Sequence, residues 1–477
     1  MRIVLWDTRK LGVSKDFAAG MGVGCFPAGG LRGRIIRHVY KRDRRPVALL
    51  FAYLAAIFRQ QGHQVEYCED RVRSRADLYV FCPALITLHL ERQAMARILA
   101  EHPAARILVV GTVASVLPEA FAELAVTVIK GEAEQLFWKL DEVLQRRDAT
   151  VQLGTIDDLD RLPFPDWSPF GPHRFRVAYD FWQFPTAFVQ ASRGCPFECS
   201  YCPDIVLDNS TRFRDPEAVV EEIRVGMRRW GFRSYKFRDP LFGLNRKAAY
   251  RLAELLGGLP APIQFSVETR IDLMRPEILR VLKRVGLTSV TVGIETSDTA
   301  TLRRYRRIPI HDDRQRDFIA LCHSMGIRTV AEFMIGFPDD TVESVKRVCY
   351  YAMALSPTFA NFNIVTPYPG TEFFRQVQPQ IADSDFSHYS AYAPVLNYEC
   401  LTPEKLRSLH QWCARRFYFR WNYLFANLHL LWPSLQELGI GRERPLAGSD
   451  RAHPSPQKPL ASPKSLKKKG FRQDQRH

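Results

Sequence analysis

The sequence predicts an α/β chain of two parallel sheets in series: an N-terminal doubly wound sheet, then a partial (β/α)6 barrel, followed by a C-terminal helical region. Three observations carry this reading. Short apolar strands alternate with amphipathic helices over the first 150 residues; six further strand–helix units lie between Thr186 and Thr371; and Cys195, Cys199 and Cys202 fall just after the first of those six strands. Alternation of this kind builds parallel sheets joined by crossover helices.

Size and composition bound the rest. A chain of 477 residues exceeds one ordinary core and fits two or three domains. With 46% hydrophobic and 25% charged residues it is neither fibrous nor wholly disordered. The longest apolar run, Val47 to Phe58, falls short of the ~20 residues of a membrane helix, and the aromatic stretch from Phe417 to Trp432 is interrupted by Arg420, Asn422, Asn427 and His429. The start, Met1 to Trp6, reads as a strand rather than a signal peptide, so a cytoplasmic location without a membrane span is expected. Ten cysteines, most of them inside apolar runs, fit a reducing compartment. The net charge is +16, but from Gly441 to His477 ten Lys/Arg face three Asp/Glu, so seven of those charges sit in a tail rich in Pro, Ser and Lys. Such a tail is expected to be solvated and disordered, and nucleic-acid binding is not expected.

In the first module, strands are expected at Ile3 to Trp6, Val65 to Cys68, Leu78 to Cys82, Ile107 to Val110 and Val126 to Ile129, with helices such as Pro46 to Gln61 and Leu90 to Glu101 between them. Ligands in open parallel sheets bind beyond the carboxyl ends of the strands. Those ends are Pro83 to His89, Gly111 to Leu117 and Gly131 to Glu134, where Gly111 and Gly131 allow close backbone approach. No GxGxxG motif is present, which argues against a dinucleotide. Between strand one and the first helix, residues 10 to 45 carry glycines at Gly20, Gly22, Gly24, Gly29 and Gly30 and then Arg32, Arg34, Arg37, Lys41, Arg42, Arg44 and Arg45. This insertion reads as a loop with exposed cations, or as a lid bringing charge to an anionic substrate.

In the second module, strands are expected near Ala187, Tyr235, Gln264, Ser289, Thr329 and Asn361. A parallel strand buried on both faces is normally apolar throughout. Here Gln264, Ser266, Glu268 and Arg270 alternate with apolar positions, Lys236 and Arg238 flank Phe237, Thr291 and Glu295 follow Ser289, and Asn361 and Asn363 flank Phe362. Side chains two apart share one face of a strand, so these residues predict a lumen lined with hydrogen-bonding groups. Burying unpaired charge is costly, so that lumen is expected to hold a polar ligand or water. Beyond it, Thr402-Pro-Glu-Lys reads as a helix start, and Leu406, Leu409, Trp412, Cys413 and Phe417 recur at helical spacing.

The chemistry lies in the cysteines. Their spacing, CxxxCxxC within Ser192 to Pro203, gathers three thiolates in one loop and supplies no fourth ligand. Soft thiolates select zinc or iron–sulfur clusters, and a structural zinc site normally pairs two CxxC or HxxxH units. The other seven cysteines are scattered singly. A cubane cluster held by three thiolates keeps one iron free for another ligand.

This run, with the aromatic Tyr201 between the second and third cysteines, resembles the signature of the radical S-adenosylmethionine (SAM) enzymes. The resemblance implies a [4Fe–4S] cluster on Cys195, Cys199 and Cys202, SAM bound at the free iron, and reductive cleavage of SAM to a 5′-deoxyadenosyl radical. The N-terminal module is similar to the cobalamin-binding domain of the cobalamin-dependent members. The matching pieces are Phe51 to Ala56 followed by Gly62 to Val65, Val109 to Ser115 with Pro118, Lys130 to Glu134, and the linker-like Ile156 to Trp167. The DxHxxG motif that places a histidine on cobalt is absent, as is the GGE segment, whose position is taken by Phe237 to Phe242. By this resemblance SAM meets Tyr201, Arg238, Asp239, Ser266, Glu268, Arg270, Gly293 and Glu295, and cobalamin meets Pro83, Leu85, Thr87, Gly111, Thr112, Ser115, Gly131 and Glu132. Gly336 to Pro338 and Thr366 to Thr371 are similar to family elements at the ends of strands five and six. The implied organisation is a cobalamin-binding-like domain at 1–150, a linker at 151–185, the radical SAM partial barrel at 186–375, a helical cap at 376–440 and the basic tail at 441–477. The implied activity is cobalamin-dependent methylation of an unactivated carbon in a small-molecule or peptide substrate, with a reductant such as flavodoxin or ferredoxin. A radical SAM cyclase or rearrangement enzyme with a vestigial cobalamin domain is the alternative, and a non-catalytic zinc and RNA-binding protein is a remote one.

Overall fold

The computed structural model describes residues 1–8, 14–24, 45–70, 75–146, 149–207 and 210–426. Most of the cationic insertion, from Arg32 to Arg44, and the tail from 441 lie outside them. Two six-stranded parallel sheets follow one another along the chain.

The first sheet comprises β1 (Arg2–Asp7), β2 (Gln64–Glu69), β3 (Leu78–Phe81), β4 (Arg106–Val109), β5 (Thr127–Lys130) and β6 (Thr150–Gln152). Their order is β2-β1-β3-β4-β5-β6, all parallel, so the winding reverses between β1 and β3. Helix α1 (Leu49–Gln60) crosses from β1 to β2 with nine of its twelve residues buried, because it packs on the sheet and on the rest of the chain at once. Helices α2 (Leu88–Glu101), α3 (Thr112–Val116) and α4 (Leu136–Gln145) complete the crossovers. The three-residue β6 had no counterpart in the sequence reading: Thr150 and Gln152 are exposed and only Val151 is buried, which leaves no period-two signal to detect.

The second sheet comprises β7 (Thr186–Val189), β10 (Ser234–Phe237), β11 (Gln264–Thr269), β12 (Leu287–Glu295), β13 (Arg328–Ile335) and β14 (Phe359–Ile364), parallel and in sequential order. Sequential parallel strands with helices between them curl into a partial barrel. The small antiparallel ribbon β8 (Ser192–Arg193) and β9 (Arg212–Phe213) brackets the cysteine loop. One apolar core runs from Ile3 and Leu5 through the linker aromatics to the barrel helices. Within the linker, Trp167 meets Phe175 and Phe232 edge-on at 5.9 and 6.0 Å.

Past the barrel, Pro403–Tyr418 starts where Thr402 caps it, its side chain accepting from the Lys405 N–H. The predicted stripe packs inward: Leu406, Leu409, Cys413 and Phe417 are buried, and Phe417 lies edge-on to Phe362 of β14 at 6.2 Å. Among the described residues no helix is long and apolar enough to cross a membrane.

Candidate functional site

The cysteine loop leaves β7 at its carboxyl end. Gly194 has φ +80°, and a Cβ there would lie 1.9 Å from the Ser210 carbonyl oxygen, so the turn into Cys195 requires glycine. Three arginines fix the flanks. Arg193 pairs with Glu134 at 2.6 Å and Glu132 at 3.3 Å, Arg212 with Glu132 at 2.8 Å, and Arg214 with Glu222 at 2.7 Å and Asp160 at 3.1 Å. Inside the loop the Ser200 N–H donates to Tyr305 O (3.0 Å), and Ser200 O accepts from the Phe373 N–H (2.9 Å). The loop is thus tied to the first sheet, the linker and the far side of the barrel.

Cys195 and Cys199 are buried and Cys202 partly so, all three as free thiols. Burial first, and then neighbouring acidic groups including the other thiols, raise the pKa values of Cys195 and Cys202. Thiols that burial keeps protonated, as at Cys195 and Cys202, are what an iron centre would deprotonate, because metal binding displaces thiol protons; among the described residues the side chains as they stand form no ready-made cluster of three metal ligands. Arg307, absent from the sequence-based set, reaches the same place: Nη1 lies 3.9 Å from Cys199 Sγ, while Nη2 donates to Gly293 O at 2.7 Å and lies 3.3 Å from Glu295. A Cβ on Gly293 would sit 2.8 Å from Arg307 Nη2, so the glycine makes room for the guanidinium. Glu295 itself has φ +66° at a register shift in β12.

The expected SAM contacts divide into three groups. Arg238 and Glu268 pair at 2.6 Å at the mouth of the lumen, and Arg270 lies 4.4 Å over the Phe197 ring of the cysteine loop. Arg270 Nη1 and Tyr201 Oη are buried with no hydrogen-bond partner among the described residues. Buried polar groups are normally satisfied, so these two atoms fit a polar ligand beside the thiols. Asp239 sits behind the site: it accepts from the Ala191 N–H (2.8 Å) and the Ser192 hydroxyl (2.6 Å), and burial pushes its pKa up to about 6. Ser266 lies at the floor. There Asp180, from the linker, accepts from Lys236 at 3.0 Å and Ser266 at 3.1 Å. Gln264 also serves the floor, accepting from the Trp182 and Gln183 N–H groups. The base of the barrel is therefore closed by contacts within the chain, and Lys236, Ser266 and Gln264 belong to that seal.

The expected cobalamin contacts are engaged by the chain itself. A strap of residues 14–24 lies over the carboxyl ends of β1 and β3. Met21 is fully buried and its carbonyl accepts from the Leu85 N–H at 2.8 Å. The Thr112 hydroxyl donates to Ala19 O, and Thr87 to Glu91 at 2.9 Å. Lys15 bridges Asp7, at 2.7 Å, and Glu91. Ser115 links Gly111 and Gly131, with its hydroxyl donating to Gly111 O and accepting from the Gly131 N–H, both at 3.0 Å. Glu132 belongs to the arginine clamp, and Pro83 precedes the fully buried Ala84 and Leu85. From the strap, Asp16 and Phe17 reach the barrel, where Arg238 donates to Asp16 at 3.0 Å and lies 4.5 Å over the Phe17 ring.

Residues 189–350, from the last residue of β7 to the helix after β13, match the radical SAM superfamily. This part of the chain is a radical SAM domain. Such a domain works with a [4Fe–4S] cluster and SAM. Similar to the chain is an uncharacterised methyltransferase of Pyrococcus horikoshii, 25% identical over 321 residues that cover 63% of this chain and 69% of the relative. An anaerobic magnesium-protoporphyrin IX monomethyl ester cyclase of Cereibacter sphaeroides is 28% identical over 276 residues, 57% of this chain and 44% of the cyclase, so less than half of that relative is spanned. The solved structure of the radical SAM methyltransferase TsrM of Kitasatospora setae, with cobalamin and a [4Fe–4S] cluster bound, superposes with TM-score 0.56 at 15% identity over 91% of this chain and 92% of that one. That likeness extends the shared fold over both sheets of this chain.

Proposed function

We propose that the chain is a cobalamin-dependent radical SAM methyltransferase acting on an unactivated carbon of a biosynthetic small molecule or peptide. The observation that carries the reading is the three-thiol loop at the carboxyl end of a partial barrel, clamped by Arg193 and Arg212 to a doubly wound sheet of the cobalamin-binding kind. The cluster and SAM, when bound, supply the radical and the methyl group. The chain's own residues hold and shield them: Cys195, Cys199 and Cys202 bind iron, Arg307 offsets thiolate charge at Cys199, and Arg270 and Tyr201 offer free donors beside the loop. Asp180 and Lys236 keep water out from below. In the first sheet, cobalamin at the β1/β3 crevice requires the 14–24 strap to leave it, since Met21, Ala19 and Lys15 occupy the ends of those strands.

The test is anaerobic reconstitution of the full chain with iron, sulfide and hydroxocobalamin, followed by SAM and a reductant. Formation of both S-adenosylhomocysteine and 5′-deoxyadenosine is expected. 5′-Deoxyadenosine with no S-adenosylhomocysteine under any condition would reject methyl transfer.

A further inference from the structure

Three carboxyl groups face the upper lumen: Glu268 on β11, Glu295 at the end of β12 and Glu332 on β13. The first two have cations. Glu268 pairs with Arg238 at 2.6 Å and Lys236 at 3.3 Å, and Glu295 with Arg307 at 3.3 Å. Glu332 has no cation within ion-pair distance among the described residues. Two neutral amides of β14 hold it instead, Asn361 Nδ2 donating to one carboxyl oxygen at 2.8 Å and Asn363 Nδ2 to the other at 2.7 Å.

The placement is built into the register. Gly293, Glu332 and Asn361 are neighbours in one row across β12, β13 and β14, and the space over Gly293 beside the carboxyl is taken by the Glu295 carboxyl and the Arg307 guanidinium, which pair with each other. Asn361 and Asn363 share a face because they are two apart on a strand, and each takes one oxygen, which fixes the carboxyl plane. A carboxylate offers about four lone-pair positions, so two remain for something in the lumen. Burial first, and then the charges of Glu295 and Glu268, push the Glu332 pKa up to about 7, the response of a carboxyl that lacks a cation.

We propose that Glu332, oriented by Asn361 and Asn363, is the substrate-reading residue of this lumen and binds a protonated amine of the substrate. The inference rests on the radical SAM reading, since it assumes a substrate enters this lumen. A cationic nitrogen donor completes the charge pattern that Arg238 and Arg307 complete for the neighbouring carboxyls, and charge-assisted hydrogen bonds are the strong ones. A hydroxyl of the same size gains only a neutral-donor bond.

The test is calorimetric titration of the reconstituted, SAM-loaded full chain with two matched probes, phenethylamine and phenethyl alcohol. The wild-type chain is expected to prefer the amine by about tenfold or more, and Glu332→Gln to bind both probes alike. A paired Asn361→Ala/Asn363→Ala variant, which keeps the carboxyl but frees it, is expected to retain a reduced amine preference. Equal binding of the probes by the wild type, or an amine preference that persists in Glu332→Gln, would overturn the proposal. A tenfold loss of SAM affinity in Glu332→Gln would also overturn it, by assigning the carboxyl to SAM. SAM cleavage is measured in parallel. A chain that cleaves SAM but binds the probes alike loses this inference alone, whereas one that shows the Glu332-dependent preference without cleaving SAM loses only the functional reading.

Discussion

The two sheets present the same feature, a row of parallel-strand carboxyl ends, and treat it in opposite ways. At the first, the chain meets most of its own needs: Lys15 neutralises Asp7 and Glu91, Met21 is fully buried over the strand ends, and the Thr112 and Thr87 hydroxyls are hydrogen-bonded, while Trp6 Nε1 has no hydrogen-bond partner among the described residues. At the second, Asp180 closes the base through one carboxyl oxygen, and the mouth keeps three free thiols, a carboxyl held by neutral amides, and Arg270 Nη1 and Tyr201 Oη, which have no hydrogen-bond partner among the described residues. Unmet hydrogen-bonding and charge requirements mark where a ligand belongs. By that criterion the barrel mouth is the readier of the two for a ligand, whereas the strap of residues 14–24 covers the carboxyl ends of β1 and β3.

Breaking the barrel mouth should have the largest effect. Alanine at any one of Cys195, Cys199 or Cys202 is expected to remove cluster iron and abolish 5′-deoxyadenosine formation, measured by iron analysis and product chromatography. Sealing is the next term. Asp180→Leu removes the nearer carboxylate of Lys236 and leaves it Glu268 at 3.3 Å, and breaking a buried pair from one side costs up to about 3–5 kcal/mol. Urea unfolding should show that loss, and adding Lys236→Met should recover most of it. The smallest expected effect sharpens the contrast from the other side. Met21→Ala removes a fully buried side chain from the strap, at a cost of about 2 kcal/mol or more. If the strap is what closes the β1/β3 crevice, this variant takes up hydroxocobalamin faster than the wild type in an optical mixing experiment; an unchanged rate places the barrier elsewhere.

Much of this contrast was legible in the residues, and what was not has a common cause. The strands at Ile3 to Trp6 and Leu78 to Cys82 stood out because parallel strands buried on both faces are continuous apolar runs. The cysteine loop stood out because its spacing is local. The alternation of polar residues in β10 and β11 correctly placed those side chains on the inner face, but could not tell ligand from seal. Lys236 and Ser266 meet Asp180, far away in the chain, and no local pattern announces that partner. Arg307 was missed for the same reason, since its role comes from the turn that carries it back to Cys199. The strap lies in the insertion that reads as a loop with exposed cations or as a lid: Gly20 and Gly22 both have φ +86°, while the burial of Met21 depends on a crevice formed by strands distant in sequence.

If the three-cysteine loop carries a cluster that splits SAM, metal analysis coupled to SAM turnover on the anaerobically reconstituted chain will show it. About four irons and four sulfides per chain, with 5′-deoxyadenosine appearing when SAM and a reductant are added, is the predicted result. One tightly bound zinc per chain, or a full cluster that leaves SAM intact under reduction, would contradict it.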